Sequence, residues 1–405
     1  MRKPILLIPI ISLLSVFFGS CSSRTTTLRI LTDRKELAPA AEIFDAAEDE
    51  LIITVHHVAM IDAETIRAEN PDLVIGSHLS SPEIIDLLRP SETDFPIYPA
   101  LSGPVDEKGR RILTPISFEL PLIMGRKDSM KGLPDKMLIH PGELREAALN
   151  FTARDRDDRL IHLGFSPAWN PRVFTDLLEI RAPDFFSGGM ENPDTEVLDR
   201  VVEELRSWIT ESAGDIDSDT DFNKRYRYIP DEYLIIDKRI LFARTDFSLF
   251  ASLPDTISGE LDFRYLSGPR KIPVIRICSA GIPLKSSSPE AASEFISWLM
   301  KPETQSLLIR RWEKDGIAVF GFLGGLSSIP EVNESILPLY DASLKNMIPE
   351  GHYLQVPASR PLRWPRIRDE VVIPWIQSAL TGTSELLPLN DTYRKWDLSS
   401  LEETE

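Results

Sequence analysis

The stretch 28–76 alternates between two kinds of apolar pattern, and this alternation constrains the fold more than any other part of the sequence. Residues 28–31, 51–55 and 71–76 are short runs rich in branched apolar side chains, as β-strands are. Between the first two runs, residues 36–47 place their apolar side chains on one helical face. A second helix is predicted before the third run. Strand, helix, strand, helix, strand at this spacing predicts a parallel sheet with crossover helices.

The length and the net charge of the chain limit the number of lobes and the kinds of binding partner. The chain has 405 residues, of which 42% are hydrophobic and 27% charged, as in a soluble globular protein of two or three lobes. Its formal net charge is −18. Affinity for nucleic acid comes largely from neutralising phosphates with cationic side chains. We therefore predict that a chain this acidic does not bind nucleic acid.

The N-terminus has the organisation of an export signal. A short basic start precedes an almost wholly apolar run at 5–18, and small residues then lead into Cys21. A membrane-anchoring helix is the alternative, but the run is shorter than the ~20 residues that a span needs. The residues before the cysteine resemble a bacterial lipobox, although Phe18 stands where that motif usually has leucine. These features predict a lipoprotein signal at 1–20, lipidation of Cys21 and a polar tether at 21–27.

Cysteine usage and missing motifs narrow the function. Cys278 is the only cysteine after Cys21, so with Cys21 lipidated no internal disulfide can form. We expect Cys278 to be a small buried side chain, with a reactive thiol as the alternative. No GxGxxG, GxxxxGK[ST], HExxH or GxSxG pattern occurs, so nothing indicates an enzyme. The acidic run at 215–221 lacks the glycine and glutamate of a calcium loop, and His56-His57 lacks the spacing of zinc ligands. No cofactor or metal is predicted.

The stretch 279–308, SAGIPLKSSSPEAASEFISWLMKPETQSLL, carries the most specific pattern in the chain. It predicts a tight turn at Ala280-Gly281 after a strand at 272–277, then a serine run and two helices divided by Pro302. The stretch resembles a signature of the extracellular solute-binding proteins of ABC importers, in the sugar-binding family typified by maltose-binding protein. Weaker similarity at NPDLVIG and GRRILTPISFELPLIMGRKD extends the resemblance over most of the chain.

The resemblance implies an α/β fold of the periplasmic-binding-protein type II class. Such a fold has two lobes joined by a hinge, and each lobe is a mainly parallel sheet with flanking helices. Lobe 1 would comprise 28–115 and about 270–325, and lobe 2 would comprise about 118–265 and 330–395. A predicted crossing strand at 113–118 agrees with that division.

Ligand-contacting residues are expected at the carboxyl ends of strands, where loops converge. A sugar-binding site needs a flat aromatic side chain against the C–H surface of the sugar and planar polar groups that hydrogen-bond to its hydroxyls. For each residue, helix capping or core packing is the ordinary alternative. The candidates are Asp33, Arg34, Ser77, Glu119, Trp169, Asn170, Arg244, Asp246 and Trp364.

Together these features predict a binding protein rather than an enzyme. It would be a monomer, held on the outer side of a bacterial membrane by lipidated Cys21, in the periplasm or at the cell surface. It would capture a solute, a carbohydrate on family grounds, and deliver it to an ABC permease. A surface lipoprotein that senses or interacts without transport is one alternative. A polyamine, anion or acidic metabolite as ligand is the other, because arginines surround Trp364: Arg360, Arg363, Arg366 and Arg368.

Overall fold

The computed structural model describes residues 26–46, 51–91, 93–317, 319–382 and 386–402. The predicted signal at 1–20 and Cys21 lie outside the described residues. Within the described ranges, no helix combines the length and the apolar character that crossing a bilayer requires.

Strands occur throughout the chain, and most of them belong to two sheets. In chain order they are β1 (Thr26–Thr32), β2 (Leu51–His57), β3 (Leu73–Ser77), β4 (Leu88–Arg89), β5 (Thr114–Glu119), β6 (Pro121–Arg126), β7 (Leu138–Ile139), β8 (Ala153–Arg154), β9 (Leu160–His162), β10 (Phe242–Asp246), β11 (Leu261–Leu266), β12 (Ile272–Pro273), β13 (Arg276–Pro283), β14 (Leu326–Ser327) and β15 (Leu354–Gln355).

Helices connect and cover these strands. They are α1 (Leu37–Asp45), α2 (Ala63–Glu69), α3 (Pro82–Ile85), α4 (Lys127–Met130), α5 (Pro141–Phe151), α6 (Arg172–Arg181), α7 (Thr195–Ala213), α8 (Ile216–Tyr226), α9 (Asp231–Ile236), α10 (Phe247–Ala251), α11 (Asp255–Ser258), α12 (Pro289–Leu299), α13 (Pro302–Lys314), α14 (Leu337–Tyr340), α15 (Trp364–Arg366), α16 (Ile373–Thr381) and α17 (Leu389–Glu402). Short 3₁₀ turns lie at Pro99–Leu101, Ala342–Leu344 and Gly351–Tyr353, and π-helical segments at Val332–Ile336 and Ile367–Val372.

The first sheet has the order β14-β5-β13-β3-β1-β2, with β4 against β13. Strand β1 pairs in parallel with β2 and β3, as the sequence pattern predicts. Alternate residues of β1 and β3 serve two cores, because successive side chains of a strand point to opposite faces. Ile30 and Ile75 join the largest core, whereas Leu31 and Val74 pack in a smaller one with α2 and α3. Helices on both faces therefore shield this sheet from water.

The second sheet has the order β10-β6-β11-β7. Strand β6 is antiparallel to β10 and β11, and β11 is parallel to β7. A second core surrounds Trp208 of α7 and also takes in buried residues of α5, α6 and α16. This core holds the helices of the second lobe against their sheet.

Both sheets are mixed, but one strand direction dominates each. In the described part of the first sheet, β13 and β14 run against the other five strands, and in the second sheet β6 runs against the other three. The predicted α/β architecture is confirmed. The central position of antiparallel β13 is the feature that the pattern at 28–76 does not reveal.

The chain passes from one sheet to the other with little intervening structure. Strand β5 is buried along its whole length, and only Leu120 separates it from β6. The return runs through 267–275, where β12 pairs with β15. The predicted crossing at 113–118 corresponds to β5, within one residue at each end. These short connections are where two lobes can hinge.

Two boundaries differ from the sequence-based expectation. Strand β1 begins at Thr26 and pairs Thr26 with Leu51, so the end of the predicted 21–27 tether lies in the sheet. Threonine is a β-branched residue that suits a strand.

The predicted turn at Ala280-Gly281 is wrong, because both residues lie inside β13. Only 272–273 of the predicted 272–277 strand belong to β12, and β13 starts at Arg276. A Cβ at Gly281 would lie 2.7 Å from Leu88 Cδ1, so the glycine permits close packing rather than a turn. The two helices divided by Pro302 are confirmed as α12 and α13.

Candidate ligand-binding site

A cavity of about 660 Å³ opens beside the second sheet. Its wall combines the loop before α6, the end of β10, the start of α9, the end of α10 with the residues that follow it, and the turn before α16. Four of the predicted site residues line it: Trp169, Asn170, Arg244 and Asp246. Loops and helix ends from distant parts of the chain therefore converge here, as at many small-molecule sites.

The loop before α6 is fixed by close backbone packing. A Cβ at Gly164 would lie 2.0 Å from the carbonyl oxygen of Ala148 in α5, so only glycine fits. The Gly164 carbonyl accepts hydrogen bonds from the N–H groups of Leu241 and Phe242, both at 3.0 Å. These contacts join the loop to α5 and β10, and they set the position of the residues that follow.

Trp169 is the aromatic residue of the cavity wall. Its ring packs on Phe222 of α8, with 5.5 Å between centroids and 33° between planes. Its indole Nε1 donates no hydrogen bond to any described residue. The ring is partly exposed, so it presents apolar surface to the cavity. A sugar ring packs its C–H surface on this kind of indole.

Asn170 positions the loop. Its side-chain oxygen accepts a hydrogen bond from Arg244 N at 2.9 Å, and its Nδ2 donates to Ser166 O at 3.0 Å. The amide is therefore used within the protein, and it locks the loop that carries Trp169 to β10. Its predicted contact with ligand stays a prediction.

A buried ion-pair group lies under the end of β10. Arg244 contacts Asp176 at 2.8 Å and also Asp246, and Arg172 lies 3.0 Å from Asp246. Burial alone would lower the pKa of Arg244, but Asp176 and Asp246 outweigh burial and raise it. Burial would likewise raise the pKa of Asp246, but Arg244 and Arg172 hold it below its usual value. These two shifts favour the charged forms of Arg244 and Asp246, whereas burial raises the pKa of their neighbour Asp176.

Glu119 links the first sheet to α10 rather than lining the cavity. It is 2% exposed, and its carboxylate lies 2.8 Å from Arg276 in β13. It also accepts a hydrogen bond from Ser248 N in α10 at 3.0 Å. Burial raises the pKa of Glu119 to about 7, and Arg276 offsets only part of this effect. The predicted direct contact between Glu119 and ligand has no support in this burial.

The three candidates at the ends of β1 and β3 lie together, as expected. Ser77 N donates to the Asp33 carboxylate at 3.1 Å, and Arg34 contacts both Asp33 and the Ser77 hydroxyl. Burial alone would lower the pKa of Arg34, but Cys278 and Asp33 raise it above its usual value. Arg34 Nε and Asp33 Oδ1 lie 3.1 Å apart as an ion pair, but neither atom has a hydrogen-bond partner among the described residues. Contact of the three residues with ligand stays a prediction.

Trp364 is a correction. The ring is 1% exposed, packs on Phe186 with 4.4 Å between centroids, and lies under the Arg360 guanidinium at 5.2 Å. A ring enclosed in this way has no face for a sugar, so the predicted cleft aromatic is a core residue. Trp364 is expected in the cleft because the resemblance places a cleft aromatic near this position, and burial in the second core overrides that expectation.

The arginines near Trp364 have acidic partners of their own. Each lies within ion-pair distance of a carboxylate: Arg360 with Glu179, Arg363 with Asp62, Arg366 with Glu370 and Arg368 with Asp369. Their charges are balanced locally, so the anion-binding alternative loses its support in the sequence.

Other predicted features have plain structural roles. Residues 216–226 form α8, and Asp215 caps it by accepting a hydrogen bond from Ser218 N. Within the described part of the chain, no cluster of three or more His, Cys, Asp or Glu side chains is placed to hold a metal ion. Cys278 is buried in β13, and burial raises the pKa of its thiol to about 12, as suits an unreactive side chain.

Sequence reasoning missed four charged residues of the cavity wall. Pro230 before two acidic residues signals a helix start, and that start is α9. No local pattern indicates that α9 reaches the same cavity as a loop some sixty positions earlier. The missed residues are Arg172, Asp231, Glu232 and Asp369.

Comparison with known proteins gives a likeness in structure but not in sequence. No protein-family profile matches the chain, and no curated protein sequence is significantly similar to it. CpMnBP1 with mannobiose bound has a TM-score of 0.60 at 14% identity, over 92% of this chain and 99% of that one. The sugar-binding protein MalE from the phytopathogen Xanthomonas citri has a TM-score of 0.59 at 14% identity, over 92% of this chain and 96% of that one.

A cyclo/maltodextrin-binding protein complexed with maltotetraose gives a TM-score of 0.60 at 13% identity, over 94% of this chain and 97% of that one. Likeness at these identities establishes the fold. The chain has the two-lobed α/β fold of these binding proteins, which confirms the fold expected from the resemblance.

Proposed function

We propose that this chain is the solute-capturing component of an ABC importer. The mature protein is held on the outer side of a bacterial membrane by lipidated Cys21, binds a carbohydrate between its two lobes, and presents it to a permease. The protein needs no catalytic group for this function, because capture and release are binding steps.

The observation that carries the proposal is the cavity that Trp169 lines. All of its lining residues belong to the second lobe, so the first lobe would add its contacts on closure. The cavity volume of about 660 Å³ suits a small solute. An indole surface and buried charged groups line it together, which is the combination that a polar ring with an apolar face requires. The similar structures named above hold mannobiose and maltotetraose, and this supports a carbohydrate in a fold of this type.

The arrangement of the two sheets supports capture of the solute by closure of the two lobes around it. The chain crosses between them at Leu120, and Glu119 bridges β13 and α10 beside this crossing. A solute that contacts both lobes would favour a closed arrangement by its extra contacts. The permease would then recognise the closed form.

Calorimetry with a panel of neutral and charged oligosaccharides tests the proposal. A true ligand at 100 times its Kd should stabilise the protein by about 2.7 kcal/mol, which a melting experiment detects.

Trp169→Leu should weaken binding at least about tenfold, because aromatic contacts dominate such sites. Trp298→Leu is the matched control, since Trp298 packs on Phe44 and Phe295 outside the cavity. Its affinity should be unchanged.

Two results would contradict the proposal. Absence of binding by every sugar tested would exclude a carbohydrate-capturing role. Equal affinity of the Trp169 variant and the wild type would remove this cavity from the site.

A further inference from the structure

The wall of the cavity carries more acidic than basic side chains. Arg172 and Arg244 supply two positive charges. Four carboxylates line the same wall, those of Asp231, Glu232, Asp246 and Asp369.

Both arginines are already neutralised by carboxylates. Arg244 pairs with Asp176 behind the wall at 2.8 Å and contacts Asp246. Arg172 lies 3.0 Å from Asp246 and 4.0 Å from Asp369. Within the described wall, these pairs leave no arginine charge uncompensated for an anionic ligand.

Asp231 and Glu232, the acidic pair, differ from the other acids of the wall. They are the first two residues of α9, and both side chains are partly buried. Among the described residues, neither carboxylate has a hydrogen-bond or ion-pair partner. Burial, together with Glu232, raises the pKa of Asp231 to about 6. Two adjacent carboxylates in a partly dry setting repel each other, and a cation beside them would relieve that repulsion.

Trp169 lines the same cavity as the acidic pair. An indole surface accepts the C–H face of a sugar ring, and it also attracts a cation through its ring quadrupole. A ligand that is both cyclic and positively charged would satisfy the indole and the acidic pair together.

We propose that the solute is an amino sugar, an oligosaccharide whose free ammonium group lies against Asp231 and Glu232 while a pyranose ring packs on Trp169. This inference rests on the proposed function, because it concerns the same cavity. A neutral sugar would leave the acidic pair without a partner. A linear polyamine would neutralise the pair but has no ring to cover the indole.

Calorimetry with a matched pair of ligands tests this inference. The trisaccharide of glucosamine and its fully N-acetylated counterpart share rings and linkages, and at each nitrogen the first carries an ammonium group where the second carries a neutral acetamide. At about pH 7 and low salt, the free amine should bind at least about tenfold more tightly. The preference should shrink in high salt, because ions screen partly exposed charges.

Two variants test whether the acidic pair causes the preference for the free amine. The double variant Asp231→Asn/Glu232→Gln should abolish the preference for the amine while keeping the melting temperature at or above that of the wild type. Asp237→Asn is the matched control, since Asp237 is exposed at the end of the same helix and does not line the cavity. It should keep the full preference.

Each other outcome overturns a stated claim. If the acetylated trisaccharide or neutral mannobiose binds as tightly as the amine, the amino-sugar inference fails and the proposed function stands. If no sugar of either kind binds, the proposed function itself fails. If spermidine binds and the amino sugar does not, both the inference and the carbohydrate assignment fail.

Discussion

At the scale of single residues, helix α8 contains an unusual buried acid close to the ring on which Trp169 packs. Asp219 of α8 lies one turn before Phe222, the residue on which Trp169 packs. Asp219 is 1% exposed, and neither carboxylate oxygen has a hydrogen-bond partner among the described residues. Burial raises its pKa to about 6, and the neighbouring Ser166 offsets little of this effect. The charged form therefore costs folding free energy at neutral pH.

We expect Asp219→Asn to raise the free energy of unfolding by up to about 3 kcal/mol near pH 7.5, as the shift of about two pKa units indicates. A raised folded-state pKa means that the native state binds the proton more tightly. This contribution therefore lowers stability as the pH rises from about 4 to 6. Urea unfolding at about pH 7.5 and pH 4 measures the difference, which should vanish at the lower pH.

Asp221→Asn provides the control for this measurement. Asp221 is exposed in the same helix and pairs with Lys224 at 3.3 Å. Its substitution should change stability little at either pH. A gain from Asp219→Asn that is equally large at acidic pH would show that the buried charge is not its cause.

At the scale of elements, the loop between β9 and α6 is held by the contact between Gly164 and α5. The nearest atoms to a Cβ at this position are backbone atoms of Ala148, at 2.0 and 2.3 Å, which cannot move aside as a side chain can. The loop also carries Asn170 and Trp169, so its position and the shape of the cavity depend on the same contact.

We expect Gly164→Ala to lower the free energy of unfolding by about 1–3 kcal/mol and to weaken ligand binding, because the loop must shift away from α5. Gly142→Ala in α5 is the matched control, since a Cβ there meets nothing within 4 Å. It should leave stability unchanged or slightly higher, because alanine favours a helix. Chemical denaturation and calorimetry of both variants test this, and equal behaviour would contradict it.

The sequence predicts elements better than it predicts the site, and the reason is physical. Runs at 28–31 and 51–55 appear in β1 and β2, because periodicity is a local property that burial imposes directly. Trp169 and Arg244 could be proposed because they follow strands or predicted turns. Asp231 belongs to the same cavity through tertiary packing, which leaves no local pattern. Trp364 shows the opposite error: the sequence predicts that it contacts ligand, but its ring is buried although its neighbours in the sequence are polar.

At the scale of the whole molecule, two sheets share one chain through short crossings. Leu120 alone separates β5 from β6, so a small change of backbone angle there changes the relative orientation of the sheets. We expect the radius of gyration, measured by small-angle scattering, to fall when the solute is added. A variant that no longer binds solute, such as Trp169→Leu if it behaves as expected, should show no change. A wild-type protein that binds solute without any compaction would contradict closure.

The position of β13 in the first sheet has a consequence for folding during synthesis. It lies between β3 and β5 in the first sheet, yet it comes from residues 276–283. A ribosome that has made only the first half of the chain has produced both neighbours of β13 without the strand that joins them. The first sheet therefore remains open until roughly two thirds of the chain has been translated. Such late closure follows from contacts between distant segments. Under the export that we propose for this chain, it would keep the nascent first sheet incomplete while the chain enters a secretion channel.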